Sequence, residues 1–282
     1  LAPEARDYLL RSGATQPTPI ERLARMNPPS VELFRQTGRD LAAEPIEIGV
    51  CAQHCNGGFA VDRWWETNVP HLFVIGELAG THGVKRPGGS ALNAGQVGAL
   101  RAAQRIAHVY AGGIEHPKRA TEAGFLELRR LLPVIARMAR REDGALDSEE
   151  IKDEIQRRMS RHAGMVRSRA GVETALAEAR EQWRRIREKG LRQKSVGYLE
   201  AFEARELALA GLAFLEAIRA LLERGSGSRG SHLVTDPSGL LPHPGLGDEW
   251  RFLPENRALR GEILGLSYDP SSDEIGRHTS EL

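Results

Sequence analysis

Cysteine is nearly absent from this 282-residue sequence: Cys51 and Cys55 are the only two, four positions apart. A pair of thiols in a chain of this length does not make a disulfide scaffold, so the expectation is a reducing, cytoplasmic setting. Charge of one sign is missing too. Lys plus Arg number 39 against 38 for Asp plus Glu, and a formal net charge of +1 offers no broad footprint for nucleic acid or an anionic membrane. Lysine is scarce within the basic set, at 5 residues against 34 arginines, which reflects genomic bias more than function. Long apolar runs are lacking as well. The most apolar stretch, Leu207 to Leu222, is interrupted by Glu216 and Arg219 and falls short of the roughly 20 apolar residues that a membrane span needs. The first twenty residues carry Glu4, Arg6, Asp7 and Arg11 in place of an apolar signal core, and the opening at Leu1 reads as a cut through a longer chain.

What is present is an ordinary globular mixture, 40% hydrophobic and 27% charged, long enough for one large domain or two small ones. From Pro3 to about Ala43 the pattern is helical and loop-like, broken by Pro17, Pro19, Pro28 and Pro29. Three short apolar runs follow, Ile46 to Val50, Phe59 to Val61 and Leu72 to Ile75, bounded by Gly and Pro clusters in the manner of strands and turns. Seven glycines lie between Gly76 and Gly98, after which a helical pattern runs to about Tyr110 and stops at Gly112 and Gly113. Beyond Thr121 the periodicity is almost wholly helical. Phe125, Leu128, Leu132 and Ile135 predict one apolar face, Ile151, Ile155, Met159 and Val166 another, and Leu207, Gly211, Phe214, Leu215, Ile218 and Leu222 a third. Residues 121–224 are thus expected to form an antiparallel bundle of three or four helices. After Gly225 the prolines at 237, 242, 244 and 254 predict an irregular tail with one short strand at Glu262 to Leu266. Ile275 to Leu282 continue no pattern, and they back-translate into a common sequencing-adapter read with one base lost; residues 275–282 are therefore expected to be non-native.

The chemistry concentrates in one segment. It opens with Cys51-Ala52-Gln53-His54-Cys55-Asn56-Gly57-Gly58, passes Val69-Pro70, and runs from Gly76-Glu77 through His82-Gly83-Val84-Lys85-Arg86-Pro87-Gly88-Gly89-Ser90-Ala91-Leu92. A strand that feeds a glycine-rich loop opening a helix gathers backbone N–H groups and a positive helix end at one point, which suits an anion or a developing negative charge. Gly88 and Gly89 would let a flat ligand approach the backbone, since no Cβ stands in its way. Arg86 offers a planar fork that fits a carboxylate.

The run from His54 to Leu92 resembles the segment that closes the flavin domain in the fumarate reductase and succinate dehydrogenase flavoprotein family, which includes L-aspartate oxidase. That family's pattern has a His followed by Gly-Gly, then Val-Pro-Gly-Leu-Tyr, Gly-Glu, and His-Gly-x-x-Arg-x-Gly-Gly-x-Ser-Leu. This sequence has Gly57-Gly58, Val69-Pro70-His71-Leu72-Phe73, Gly76-Glu77, and His82-Gly83 with Arg86, Gly88, Gly89 and Leu92 in the same order. Weaker likenesses follow at Arg161-His162-Ala163 with Arg167, and at Ser228-Arg229-Gly230-Ser231-His232.

The resemblance implies an α/β fragment, the closing part of a Rossmann-like FAD-binding domain, followed by an all-α helical-bundle domain with an irregular tail. Residues 1–44 would end a capping domain, 45–112 would close the FAD-binding domain, and 121–266 would form the helical domain and tail. Glu77 would contact the FAD ribityl or ribose region. Ala91 and Leu92, matching the family's Ser-Leu, would present N–H groups to the flavin pyrimidine edge, with Ser90 beside them. Arg86 would bind a substrate carboxylate with His54 as a second ligand. The family His lies four residues before its Gly-Gly, whereas His54 lies three before Gly57, so in ungapped register Gln53 takes that place. Pro87 and Ala91 also depart from the pattern, and Trp64-Trp65 adds bulk. The Gly-x-Gly-x-x-Gly fingerprint and the capping-domain arginine that resembles the family's proton donor are not in the sequence, so this stretch alone is expected neither to hold FAD tightly nor to turn over.

The implied activity of the whole protein is hydride transfer between flavin and a small carboxylic acid, with an electron-transfer subunit or a second copy as partner. Two alternatives stay open: an L-aspartate-oxidase-like amine oxidation, and a non-catalytic helical interaction module with a vestigial flavin segment. At the residue level, Cys51, His54 and Cys55 lack a fourth ligand at useful spacing for a metal, and His82 fits a structural hydrogen bond as readily as a catalytic one. Arg229 and His232 fit a tie between loops as well as a site.

Overall fold

A computed structural model describes residues 3–49, 57–83, 90–112, 117–140, 145–192, 199–230, 232–269 and 271–281. The chain divides into two compact units, Leu1–Cys51 and Ala52–Leu282. The first holds α1 (Pro3–Arg11), α2 (Pro19–Met26) and α3 (Pro28–Gln36). Thr18 starts α2 through a capping box: its hydroxyl accepts the Glu21 N–H at 3.3 Å while the Glu21 carboxylate accepts the Thr18 N–H at 3.0 Å. Pro19 then fits the first helical position, where no N–H is required. None of these three helices buries a residue, and Tyr8, Leu10 and Leu33 stand exposed.

In the second unit, α4 (Ser90–Arg105) continues into a π-helical turn at Ile106–Tyr110, and α5 spans Pro117–Met138. Short β1 (Ala139–Arg140) follows, then α6 (Ser148–His162), β2 (Val166–Ser168), α7 (Arg169–Lys189), β3 (Leu191–Arg192) and α8 (Leu199–Glu223). The core is built on α6, α7 and α8 with β3, where Ile151, Leu176, Leu215 and Leu191 are each exposed by no more than 2%. Alanines 201, 204 and 208 with Gly211 line the buried face of α8, so its backbone can lie close to its neighbours. Asp147 and Ser168 cap the N-termini of α6 and α7, and Gly190, at φ +72°, ends α7 in a conformation that a side chain disfavours.

The bundle is not wholly helical. β2 runs parallel to β4 (Leu233–Leu240), with Val166 opposite Leu233 and Ser168 opposite Thr235, and β1 runs parallel to β3. β5 (Glu262–Asp269) and β6 (Glu274–Glu281) form an antiparallel hairpin. Among the described residues the stretch past Gly225 thus carries β4, β5 and β6: β5 starts at Glu262 as expected, whereas β4 and β6 correct the expectation of an otherwise irregular tail on an all-α domain. Val166 also leaves the expected helical face: α6 stops at His162, and Val166 opens β2. Within the α8 stripe, Leu207 and Phe214 are exposed while Ala204, Ala208 and Leu212 are buried, because the stripe turns about a residue away from the expected one. The apolar face of α5 is exposed at Phe125, Leu128 and Leu132, and no described α5 side chain joins the core.

The three apolar runs before residue 76 do not form extended strands among the described residues. They carry single bridges, Phe59 parallel to Ala79 and Glu66 antiparallel to Phe73, and residues 46–49 carry none. A strand needs a continuous partner to satisfy its N–H and C=O groups, and here no described neighbour extends along these runs.

Candidate functional site

Close backbone packing fixes the local frame. Phe59 donates its N–H to the Leu78 carbonyl at 2.9 Å, and Gly80 returns one to the Phe59 carbonyl at 3.0 Å. A Cβ on Gly58 would stand 2.3 Å from the Leu78 oxygen, so only glycine permits this approach. Glu77 sits exposed in the 3₁₀ turn Gly76–Leu78, whose first residue holds φ +66°. That turn packs on α4: a Cβ on Gly95 would lie 3.7 Å from the Gly76 Cα. Glu77 thus lies on a turn that packs against the helix whose first residues are Ser90, Ala91 and Leu92.

The start of α4 has a chemistry of its own. Its first turn holds no acidic residue, so the positive end of the helix dipole is not neutralised from within the helix. Ser90 and Ala91 are half-buried, whereas Leu92 is 77% exposed, and Ile75 and Leu78 also show large apolar surfaces. Positive potential beside apolar surface suits a flat, partly anionic ligand. His54, Gln53 and Arg86 lie outside the described residues, as do Cys51, Cys55, Gly88 and Gly89.

Sequence reasoning missed an anchor at the other end of α4. Glu66 is buried at 7% exposure. Its carboxylate accepts the Tyr110 hydroxyl, the His71 N–H at 3.0 Å and the Arg105 Nε–H at 3.4 Å. The Tyr110 bond, then the His71 bond, holds the Glu66 carboxyl below its ordinary pKa against the opposing effect of burial, and the same contact raises the Tyr110 phenol. The His71 ring lies 4.2 Å from the Tyr110 ring, centroid to centroid. Glu66 thereby ties the 62–74 loop to the C-terminal end of α4. An isolated Glu in a polar stretch carries no periodic signal that would single it out.

The bulk of Trp64-Trp65 finds its place on the same helix. The Asp62 carboxylate accepts the N–H groups of Trp64 at 2.7 Å and Glu66 at 3.0 Å, closing a turn that sets Trp65 at φ +63°. The Trp65 indole then rests where a Cβ on Gly98 would lie, 2.7 Å from its Nε1. The Arg101 guanidinium stands 5.0 Å from the Trp64 ring centroid and 5.7 Å from that of Trp65.

The downstream motif residues gather around β2 and β4. His162 ends α6, Arg167 lies in β2, and Arg229 and His232 exchange backbone hydrogen bonds at 3.2 and 3.3 Å. Arg229 pairs with Glu255 at 3.2 Å, a tie between loops. Arg167 gives its Nε–H to the Gly164 carbonyl at 2.8 Å. Burial, then the Arg167 charge, pushes His232 down to about 4, although its ring donates a hydrogen bond to the Gly227 carbonyl. His232 is therefore neutral at pH 7.

No protein-family profile matches the chain. Among curated proteins it is 30% identical over 238 residues to a subunit of the fumarate reductase (CoM/CoB) of Methanothermobacter marburgensis, a match covering 82% of this chain and 40% of that protein. It is 28% identical over 250 residues to the L-aspartate oxidase of Mycobacterium leprae, covering 87% of this chain and 40% of that one. The chain thus spans about 40% of the length of these relatives. Among solved structures, E. coli quinol fumarate reductase FrdA superposes with a TM-score of 0.64 at 21% identity over 99% of this chain and 47% of that chain. At that identity the likeness is one of fold.

Proposed function

Because the chain belongs to the family of the fumarate reductase and succinate dehydrogenase flavoproteins and the L-aspartate oxidases, we propose that the protein it comes from is an FAD-dependent oxidoreductase acting on a small carboxylic acid. In this reading residues 1–44 end a capping domain, 45–112 close a Rossmann-like flavin domain, and 121–266 form the helical domain. The observation that carries it is the packing of the Glu77 turn against α4, a helix whose first turn holds no acidic residue.

The residues present fit the cofactor. Glu77 would offer a carboxylate to ribityl or ribose hydroxyls, and Ser90, Ala91 and Leu92, at a positive helix end, would hold the pyrimidine part of the ring system. Exposed Leu92 supplies apolar surface to the same ligand. Bound there, FAD supplies hydride acceptance and donation at a carbon of the substrate. The chain's own work is electrostatic and positional. The α4 terminus would favour negative charge on a bound flavin, and Arg86 with His54 or Gln53 would orient the substrate carboxylate. A partner subunit or another acceptor would take up the electrons in the whole protein.

A full-length protein with its upstream sequence restored should purify yellow, with flavin absorbance, and Glu77→Gln should weaken flavin retention. Purification without flavin absorbance sinks the reading. The L-aspartate oxidases among the relatives support amine oxidation as the second reading, and assays on succinate, fumarate and aspartate separate the two.

A further inference from the structure

An open cleft of about 430 Å³ lies between α6 and α7. Arg157, Arg158 and Arg161 face it from α6, and Glu178 and Arg185 face it from α7. Arg185 is neutralised by Glu154 across the two helices. The other three arginines have no ion pair among the described residues. Arg157 gives its Nε–H to the Asp153 carbonyl at 3.2 Å, and Arg158 bonds only the neutral carboxamide oxygen of Gln182. Glu181 also lines the cleft and pairs with Arg184, so among the described residues Glu178 is the lining carboxylate without an ion pair, and the cleft wall sets three unpaired guanidiniums against one unpaired carboxylate.

Arg158 decides what this imbalance means. It is 6% exposed, and its Nε, sealed from solvent, has no hydrogen-bond partner. Arg158 makes no ion pair among the described residues; the Glu178 and Glu154 charges favour its cation only from a distance, and desolvation outweighs them and holds Arg158 below its ordinary pKa. Arg157 and Arg161 stand four residues apart on one helix face, one turn of the same wall. The volume suits a small metabolite rather than a chain segment. We propose that the α6–α7 cleft binds a small oxyanion, a carboxylate or a phosphoryl group, against Arg158 with Arg157 and Arg161 at its mouth. This site rests on no part of the flavin reading.

The test titrates the 282-residue chain at constant ionic strength with inorganic phosphate and, separately, with succinate. Calorimetry reads affinity, and ¹⁵N NMR reads the arginine Nε–H signals. We expect saturable binding of at least one anion with a Kd near or below about 1 mM, a shift of the Arg158 signal, and about tenfold weaker binding in both Arg157→Gln and Arg161→Gln. Phosphate alone identifies a phosphoryl ligand, succinate alone a carboxylate, and both a general oxyanion site. Succinate held elsewhere in the chain would leave the Arg158 signal unmoved and counts against the proposal. Arg158→Gln should abolish binding where it folds, and the two exposed positions carry the test where it does not. Absence of saturable binding by either anion, or affinity unchanged in both exposed variants, overturns it.

Discussion

Neutral His232 makes the stability of this chain depend on pH in a way that one substitution can isolate. In the folded state its ring takes a proton only near pH 4, because burial and the Arg167 charge disfavour the cation, whereas the unfolded chain titrates near the ordinary 6.5. Below 6.5 the unfolded state therefore binds more protons, and stability falls with falling pH until the folded pKa is reached. At pH 5 that difference corresponds to about 2 kcal/mol as an upper bound. The ring is only partly enclosed, and solvent screening brings the expectation to about 1 kcal/mol. His232→Gln keeps a donor for the Gly227 carbonyl and removes the titration. Urea unfolding of both proteins at pH 7.5 and pH 5.0 should show the wild type losing about 1 kcal/mol more than the variant, and the wild-type His232 proton signals should titrate near pH 4. Carboxylates and the remaining histidines contribute equally to both proteins and cancel. Parallel pH profiles, or a midpoint at 6 or above, would refute the reasoning.

Two further perturbations address the candidate site. Gly58→Ala forces a Cβ against the Leu78 carbonyl, where backbone must move; we expect destabilisation of about 3 kcal/mol or more and faster hydrogen exchange at the Phe59 and Gly80 amides. Tyr110→Phe removes the main influence that lowers the Glu66 pKa, so the folded value rises toward 4.5. Glu66 contributes stability above its unfolded pKa that is lost as pH falls through the folded one. The acid-unfolding midpoint of the variant should thus move to higher pH, measured by circular dichroism between pH 2 and 6.

Much of the helical architecture was legible because periodicity reports burial directly: Ile151 with Ile155, and Leu215 with Ile218 and Leu222, fall on buried faces as their spacing predicts. Parallel pairing was not legible. β2 has three residues, and its partner lies more than sixty positions away, so the contact leaves no local pattern. The α5 face was read from the same periodicity, yet Phe125, Leu128 and Leu132 stand exposed, since amphipathicity announces a face without naming what covers it. At the candidate site, Gly76-Glu77 and the helix start were visible as an ordered motif. The Glu66 network was not, because burial of a carboxylate depends on Tyr110 and Arg105 arriving from forty residues away.

The seat of Trp65 on α4 has a mechanical consequence. Gly98 is followed one turn later by Ala102, so the helix presents at residue 98 a notch without a methyl group that residue 102 would fill. The indole works as a detent: moving α4 by a turn, about 5.4 Å, so that Ala102 took the place of Gly98 would drive a methyl into the ring. With Glu66 gripping Arg105 and Tyr110 at the far end, the helix can neither slide nor unscrew by a turn without breaking a contact. The position of Ser90, at the opposite end of the same 16-residue rod from Arg105, is thus gauged from its base, and whatever the positive tip of α4 addresses meets it at a set depth.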